Sequence, residues 1–368
     1  MLSCQEIEVL LKKRRTSKLR QRLRLLRLLA CVVERPIIPN VRFALQTITD
    51  ADSRLKFRFD VAGVQRLVVA LRMPEVVVTS SRDRCLASEA LCITLYRMSY
   101  PRRYYDMMAT FGRSRESIYR IFNDVIDFLF DKWKELLYFC DSIVVPRLVM
   151  YSAAVKTKGS YMDNIFGFID GSKFETCRIT QKRDRVASSF ADLQRLIYSG
   201  HKRRHCLNFQ AVTAPDGLCV HFWGAVEGSR HDTTLLRLSK LEAYLDARRD
   251  LFRDFLVYGD PAYGVLEWIC SGYKGSDLDD RRNEFNSSMS KVRQSVEWSF
   301  GIMKKNWAMV GYKMQQKIML QSVGKVIMVA MLFTNCHCCY HGGNQISSYF
   351  NLTPPSLEEY LQLPNDGN

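Results

Sequence analysis

The chain is poor in acidic side chains and has no long uninterrupted apolar run. Its 368 residues contain 38 Asp and Glu against 54 Lys and Arg, a formal net charge of +16. Because a basic protein attracts polyanions, this balance favours a nucleic-acid partner, with an acidic membrane surface as the second choice. No run approaches the ~18–20 apolar residues of a membrane-spanning helix, and no segment makes a convincing signal peptide. We therefore expect a protein that does not span a membrane.

Two other kinds of motif are missing. The sequence contains no G-x-x-x-x-G-K-[ST], so nothing indicates nucleotide hydrolysis. Its 12 cysteines lack the spacing of a disulfide framework, which is typical of reduced thiols in an intracellular protein. The run "CHCCYH" at 336–341 places its potential ligands too close together, and no second Cys/His pair stands at a finger-like distance. A zinc site is therefore not expected.

What the chain does contain is enough apolar sequence for a globular protein. Hydrophobic residues make up 47% and charged residues 25% of the chain. Its length suits two domains. Residues 1–50 form a basic, helical lead-in, with nine basic residues and no acid between positions 12 and 27. This lead-in is either a solvated helix or a patch for nuclear import or nucleic-acid binding.

Residues 51–150 show apolar spacings of three and four, which predict helices. Within them, "YYDMMATFGRSRESIYRIFNDVIDFLFDKW" predicts a helix, a tight turn at Gly112 and a second helix capped by Ser114. In a helix-turn-helix protein, side chains at the start of the second helix read the major groove. The candidates here are Arg113, Arg115, Ser117 and Arg120. A plain helical packing unit is the alternative.

After residue 160 the hydrophobic period changes to that of strands. The predicted strands are "IFGFID" (165–170), "CLNFQAVTA" (206–214), "LCVHFWGAV" (218–226) and "FLVYGD" (255–260). "PDG" at 215–217 predicts a hairpin between the second and third of these. A helix at 232–247 and a later long helix complete a mixed α/β sheet. From 342 to 368 the chain is polar, and we expect a tail.

The segment "VRQSVEWSFGIMKKNW" (292–307) predicts an amphipathic helix. Its apolar stripe comprises Val292, Val296, Phe300, Met303 and Trp307. Arg293, Glu297 and Lys304 lie along the flank of that stripe. Taken alone, Arg293 and Glu297 make an i,i+4 pair worth ~0.2–0.5 kcal/mol.

Two predicted strands end in an aspartate, Asp170 and Asp260. Ligands collect at strand ends in α/β sheets, and the following helix could bring Glu297 to the same place. Three clustered carboxylates repel one another unless cations lie between them. Two Mg²⁺ ions ~3.5–4 Å apart would remove that repulsion and promote in-line displacement at a phosphodiester. This explains an acidic pocket in a basic protein.

The order "FIDG … SGHKRRHCLNFQAV.APDGL … EGSRHDTTLL … YGDPAYG … FN..MS.VRQSVEWSFG.MK" resembles the PIF/Harbinger transposases and their domesticated nuclease relatives, in the DDE superfamily. The resemblance covers roughly residues 160–340. Arg293, Glu297 and Lys304 are similar to the arginine–glutamate–lysine signature of related insertion-sequence transposases. The tyrosine of that signature is Ser290 here, so its role is not carried over. "LFTNCHCC" (332–339) replaces a leucine–histidine–asparagine segment, and nothing is carried over there either.

The resemblance implies an RNase H-like catalytic domain at 160–341, preceded by the helix-turn-helix-type domain. It assigns the metal-binding triad to Asp170, Asp260 and Glu297, with Mg²⁺ or Mn²⁺ as cofactor. Asp232 in "GSRHDTTLL" also belongs to the family pattern, either as a helix N-cap or as an accessory fourth acid. A nuclear location, or one shared with the cytoplasm, and a Myb-like companion protein are implied as well.

Together these features predict a DNA endonuclease and strand transferase that acts on transposon ends and target DNA. Lys202, Arg203 and Arg204 in "GHKRRH" and Lys304 on the long helix are expected to contact DNA phosphates, the alternative for the first three being a solvated charge run. The rival hypothesis is a domesticated, non-catalytic DNA-binding or scaffold protein that keeps the nuclease fold. Homo-oligomerisation is left open by the sequence.

Overall fold

The computed structural model describes residues 36–179, 193–275 and 277–362. The basic segment at 12–27 lies outside these ranges. The chain divides into two units, Met1–Asn40 and Val41–Asn368. All helices and strands of the described residues belong to the second unit.

The first part of this unit is mainly helical, as the apolar spacing predicts. Its helices are Asp50–Phe57 (α1), Val61–Ala70 (α2), Ala87–Ser99 (α3), Tyr104–Phe111 (α4), Arg115–Tyr138 (α5), Asp141–Val144 (α6) and Leu148–Thr157 (α7). Two short strands, Val76–Val78 (β1) and Arg84–Leu86 (β2), form an antiparallel hairpin that the sequence analysis missed. Single 3₁₀ turns lie at Leu45–Thr47 and Val145–Arg147.

A mixed sheet forms the centre of the second part. Its strands are Ile165–Glu175 (β3), Tyr198–Ser199 (β4), Arg204–Thr213 (β5), Cys219–Glu227 (β6), Leu256–Gly259 (β7) and Ile269–Ser271 (β8). The order is β6-β5-β3-β7-β8, with β4 paired to the start of β5. The pairs β6/β5 and β5/β3 are antiparallel, whereas β7 and β8 run parallel to β3. The four predicted strands and the hairpin at 215–217 are confirmed.

Helices surround this sheet. They are Asp232–Ser239 (α8), Leu241–Asp246 (α9), Arg249–Phe252 (α10), Asp280–Asn306 (α11), Val323–Tyr340 (α12), Gln345–Phe350 (α13) and Leu357–Tyr360 (α14), with a helical stretch at 193–196 and 3₁₀ turns at Ala308–Gly311 and Lys313–Gln315. The helix predicted at 232–247 is interrupted because Lys240 adopts a left-handed conformation, φ 56°. The apolar stripe of α11 is confirmed, since all five of its side chains are buried.

Helix α12 lies in the core. By length and composition it could cross a membrane, but 78% of it is buried inside the protein, as expected for a core helix. Its thiols Cys336, Cys338 and Cys339 are buried, and burial raises their pKa values. Among the described residues, no group of three or more His, Cys, Asp or Glu side chains is already closed around a metal site. The expectation that "CHCCYH" is not a zinc site stays a prediction.

The polar tail predicted from residue 342 is wrong for the residues that fold there. Asn344 caps α13 and Ser356 caps α14, each in a reciprocal capping box. Ile346 and Phe350 then point into the core, where they are buried. The capping residues made the segment polar on average, although its few apolar side chains are spaced for helical burial.

His221 provides a test of this packing. It is fully buried on β6, where Nδ1 lies 2.5 Å from the carbonyl oxygen of Tyr138 and Nε2 lies 3.3 Å from the amide nitrogen of Gln210. An Nδ1–H that donates to Tyr138 and an Nε2 that accepts from Gln210 fit a neutral ring. Burial lowers the pKa of His221 to about 4.

We expect this histidine to destabilise the protein in acid. The unfolded chain binds the proton near pH 6.5 and the folded chain only near pH 4, so stability is complete above pH 6.5 and declines as the pH falls toward 4. The contribution is about 3 kcal/mol. Melting temperatures measured from pH 7 to pH 4.5 should fall less steeply for His221→Gln than for wild type. The exposed His201→Gln serves as control, and equal slopes in all three proteins would contradict the prediction.

Candidate active site

Asp170 and Asp260 lie on neighbouring parallel strands. Ile169 of β3 pairs with Gly259 of β7, so the two aspartates are the next residues along adjacent strands. Asp260 follows β7 directly, and its Oδ1 accepts a 2.5 Å hydrogen bond from the Ala262 N–H. Asp170 lies within β3, which continues to Glu175, and not at the predicted strand end. The expected adjacency of these two carboxylates is nevertheless present.

Asp232 reaches the same edge of the sheet. It is the first residue of α8, and His231 occupies the N-cap position without a side-chain capping bond. The N-cap interpretation of Asp232 is therefore wrong. A β-carbon on Gly171 would lie only 2.5 Å from Asp232 Oδ1. The absence of a side chain at Gly171 thus lets the Asp232 carboxylate approach β3 beside Asp170.

The electrostatics show that these acids share one site. The pKa of Asp170 is raised to about 6, mainly by burial and to a smaller extent by the charges of Asp232 and Glu297, while the Gly171 N–H and Arg293 oppose the rise. Burial also raises the pKa of Asp232, where the charge of Asp260 adds to the effect and Lys173 opposes it. The carboxylates therefore repel one another, with too few cations between them.

Glu297 contributes from the flank of α11. Its side chain is 54% exposed, and its Oε1 lies 3.0 Å from Nη2 of Arg293. The predicted i,i+4 pair is thus present. Because Arg293 also acts on the charge of Asp170, this helix flank faces the strand edge that carries the aspartates.

Tyr263 is a further residue of the site, and the sequence analysis missed it. Its side chain is buried, and its hydroxyl has no hydrogen-bond partner among the described residues. Burial raises its pKa well above the usual range, and the charges of Asp232, Asp170 and Asp260 raise it more. A tyrosine three positions after a strand-end aspartate, in "GDPAYG", was the available signal.

The donor chemistry fits a divalent cation, although the side chains are not closed around a metal site. No group of three or more His, Cys, Asp or Glu in the described ranges is arranged to hold an ion. The four acids nevertheless offer hard oxygen donors, which Mg²⁺ and Mn²⁺ prefer. Their mutual repulsion at a half-buried strand edge is the condition that a bound cation relieves.

A cleft of about 960 Å³ opens beside Asp232 and Asp260. The cations that line it are Lys173, Lys202, Arg204 and Arg230. Lys202 and Arg203 of the predicted "GHKRRH" patch are exposed, whereas Arg204 is paired with Glu175. The sequence analysis missed Lys173 and Arg230. The Nζ of Lys173 donates to Ser199 Oγ and to the Gly228 carbonyl, each at 3.2 Å, so it joins the two loops of the cleft wall.

Lys304 of α11 lies farther along β3. Its Nζ donates to Ser172 Oγ at 3.4 Å and lies 4.9 Å from the centre of the Phe174 ring. Burial lowers its pKa. Lys304 does not pair with Glu297, and a phosphate contact for it stays a prediction.

The residues predicted to read DNA from the helical region have partners within the protein. The predicted turn is confirmed, because Gly112 has φ 59° and Ser114 Oγ accepts from the Ser117 N–H. The remaining contacts involve the three arginines. Arg113 binds Glu89 with contacts of 2.6 and 2.9 Å, Arg120 binds Asp83 with contacts of 2.5 and 3.1 Å, and Arg115 binds Glu116 at 2.6 Å.

The pairs of Arg113 and Arg120 hold α5 and the turn before it to the neighbouring segment 83–89. The Arg113 and Arg120 side chains are 24% and 35% exposed, and Ser117 is buried. Only Arg115, at 57% exposure, presents most of its side chain to solvent. A structural role accounts for Arg113, Arg120 and Ser117, and DNA contact by this helix stays a prediction.

The comparison with protein families agrees with this geometry. Residues 171–335 match the family model described as DDE superfamily endonuclease, which includes Asp232, Asp260 and Glu297 and begins one residue after Asp170. No curated protein and no solved structure matches the chain. The match supports a nuclease of the DDE transposase type, and the mixed sheet with its flanking helices fits the RNase H-like fold of such a nuclease. DNA is the substrate that a nuclease domain of this family implies.

Proposed function

We propose that the protein is a divalent-metal-dependent DNA endonuclease and transposase of the Harbinger type, which cleaves phosphodiester bonds at transposon ends and joins them to target DNA. The observation that supports this best is the convergence of four mutually repelling carboxylates beside a basic cleft. The resemblance to PIF/Harbinger transposases also supports a nuclear location and a Myb-like companion protein as parts of this proposal.

Asp170, Asp260 and Glu297 would hold the metal ions, with Asp232 as an additional oxygen donor. When bound, the ions would supply Lewis-acid activation of water or a 3′-hydroxyl and neutralise charge on the leaving oxygen. The first three acids come from two strands and one helix, so the sheet and α11 must keep their packing for the set to assemble.

The surrounding side chains position the acids and the phosphodiester. Arg293 orients the Glu297 carboxylate through their 3.0 Å contact. The Tyr263 ring packs against Gly259, where an added β-carbon would lie 3.0 Å from it, and so keeps water out from beneath the acids. Lys202 and Arg203 stand exposed at the turn before β5, where they can hold backbone phosphates by charge.

A plasmid-nicking assay tests the proposal. Wild type should convert supercoiled plasmid to open circles in Mg²⁺ or Mn²⁺ and not in EDTA. Glu297→Gln should reduce the nicking rate at least about tenfold, since it removes one charged metal ligand. Glu284 is an exposed acid on a different face of α11, so the Glu284→Gln protein should nick at the wild-type rate.

Nicking that survives EDTA, or equal rates for Glu297→Gln and Glu284→Gln, would show that these carboxylates do not act through a metal. Specific DNA binding without metal-dependent cleavage would instead favour the non-catalytic scaffold.

A further inference from the structure

A buried arginine lies outside the candidate active site, and no acidic residue among those described pairs with it. Arg97 of α3 is 5% exposed, and its Nε and Nη1 have no hydrogen-bond partner among the described residues. Its guanidinium instead lies 4.0 Å from the centre of the Tyr104 ring. Burial of an unpaired cation is costly, and the aromatic ring compensates only in part. The arginine is therefore available to an anion.

Arg97 lines a cleft of about 400 Å³. Lys317 adds an exposed cation to its wall, and so does Arg103, which is paired with Asp106 at 2.9 Å; no acidic residue among those described lines the cleft itself. Tyr119 and Tyr312 lie at the rim and are 40% and 46% exposed. Guanidinium and ammonium groups beside exposed aromatic rings are suited to a ligand that combines a phosphate with a flat base.

This cleft is connected to the candidate active site. Met314 lines both the Arg97 cleft and a second cleft of about 400 Å³, which contains Arg203 and Lys313. The second cleft shares Arg204 and Glu175 with the cleft beside Asp232 and Asp260. The shared residues place the three clefts side by side, in a row from the acids through 203–204 and 313–314 to Arg97, and this row is here called the basic groove.

We propose that the Arg97 cleft binds a backbone phosphate of the DNA substrate, with neighbouring bases against Tyr119 and Tyr312. The identity of the ligand as DNA rests on the proposed function, whereas the anion site itself rests on Arg97. A polyanion that lies along the basic groove would reach the acids at one end and the buried guanidinium at the other. Arginine suits this position because its planar group can donate two parallel hydrogen bonds to a phosphate.

Binding of a fluorescein-labelled duplex with a single-stranded overhang, whose unpaired bases are free to stack, is followed by anisotropy in EDTA and tests this assignment. Lys317→Gln and Tyr312→Ala change exposed rim residues and should each raise Kd about three- to tenfold. Lys317→Gln should also reduce the slope of log Kd against log salt by about one, because one phosphate contact is lost. Arg97→Met should raise Kd more than Arg97→Lys, which keeps the charge. Lys134→Gln, an exposed cation of α5 outside the basic groove, should bind as wild type.

Unchanged Kd and salt slope in the two rim variants would overturn the assignment, whether or not Arg97→Met folds. Wild-type protein that binds an acidic peptide but does not bind DNA would overturn it too. Since EDTA prevents cleavage, binding is measured apart from catalysis. If wild type nicks DNA normally and the rim variants bind DNA as well as wild type, only this inference is overturned. If binding depends on the basic groove but no nicking occurs, only the proposed catalytic function is overturned.

Discussion

Replacement of Asp170 by asparagine is expected to lower metal-dependent nicking at least a hundredfold while raising the melting temperature of the metal-free protein. Loss of a charged ligand weakens both metal binding and the charge neutralisation of the reaction, and about 2.7 kcal/mol of lost transition-state stabilisation corresponds to a hundredfold. Activity and stability therefore move in opposite directions, which a purely structural aspartate would not show.

The stability half of this prediction comes from the surroundings of Asp170. Burial, together with the charges of Asp232 and Glu297, raises its pKa to about 6. At pH 7.5 the folded protein must therefore keep an unfavourable charge that the unfolded chain keeps at little cost. Asparagine has the same shape without that charge, so the free energy of unfolding should rise by about 1–3 kcal/mol and the melting temperature by a few degrees.

Asp163→Asn is the matched control, since Asp163 is exposed two residues before β3. Thermal melts in EDTA and again in Mg²⁺ should show metal stabilising wild type and Asp163→Asn but not Asp170→Asn. A lower melting temperature for Asp170→Asn in EDTA, with nicking retained, would mean that Asp170 is an ordinary structural side chain.

The hydrophobic pattern of the sequence predicted the longer strands correctly. The strand segments 165–170, 206–214, 218–226 and 255–260 are confirmed, because each has enough β-branched and aromatic residues to form a strand that is buried over much of its length. The missed strands β4 and β8 have two and three residues, too few to show a period. They exist because longer strands beside them offer unpaired backbone groups.

The site was predictable to the extent that it follows from strand register. Adjacent parallel strands bring Asp170 and Asp260 together, which the sequence indicates. Asp232 reaches them only because Gly171 leaves room for its carboxylate, a contact between residues 61 positions apart. Arg97 gave no signal at all, since nothing local shows that a helical arginine lacks a partner.

The helical region shows the opposite limit. Arg120 stands on the outer face of α5, as its period predicts, and Arg113 lies in the turn before it, yet Asp83 of the β-hairpin and Glu89 of α3 cover them. Helical periodicity shows which side chains leave the helix on one face. It does not show whether solvent, DNA or another segment of the chain meets them.

The hairpin turn at 215–217 was predicted, but the burial of its aspartate was not. Asp216 is 0% exposed. Its Oδ2 accepts a 2.5 Å hydrogen bond from the hydroxyl of Tyr151 in α7, and its Oδ1 accepts from the Leu218 N–H at 3.2 Å. Arg147 lies 3.6 Å away. Burial raises the pKa of Asp216, and these three groups oppose the rise.

Tyr151→Phe is therefore expected to reduce the free energy of unfolding by about 3 kcal/mol, because it leaves a buried carboxylate without its closest donor. Tyr138→Phe is the matched control. It removes a hydroxyl that donates over the same 2.5 Å, but to the neutral carbonyl of Ser239 at a half-buried site, and should cost about 1 kcal/mol. Urea unfolding followed by tryptophan fluorescence measures both. In a Tyr151→Phe background, Asp216→Asn should lower the free energy of unfolding by less than it does in wild type, since the unpaired charge is then already destabilising. Equal losses in the two backgrounds would show that the hydroxyl and the carboxylate are not coupled.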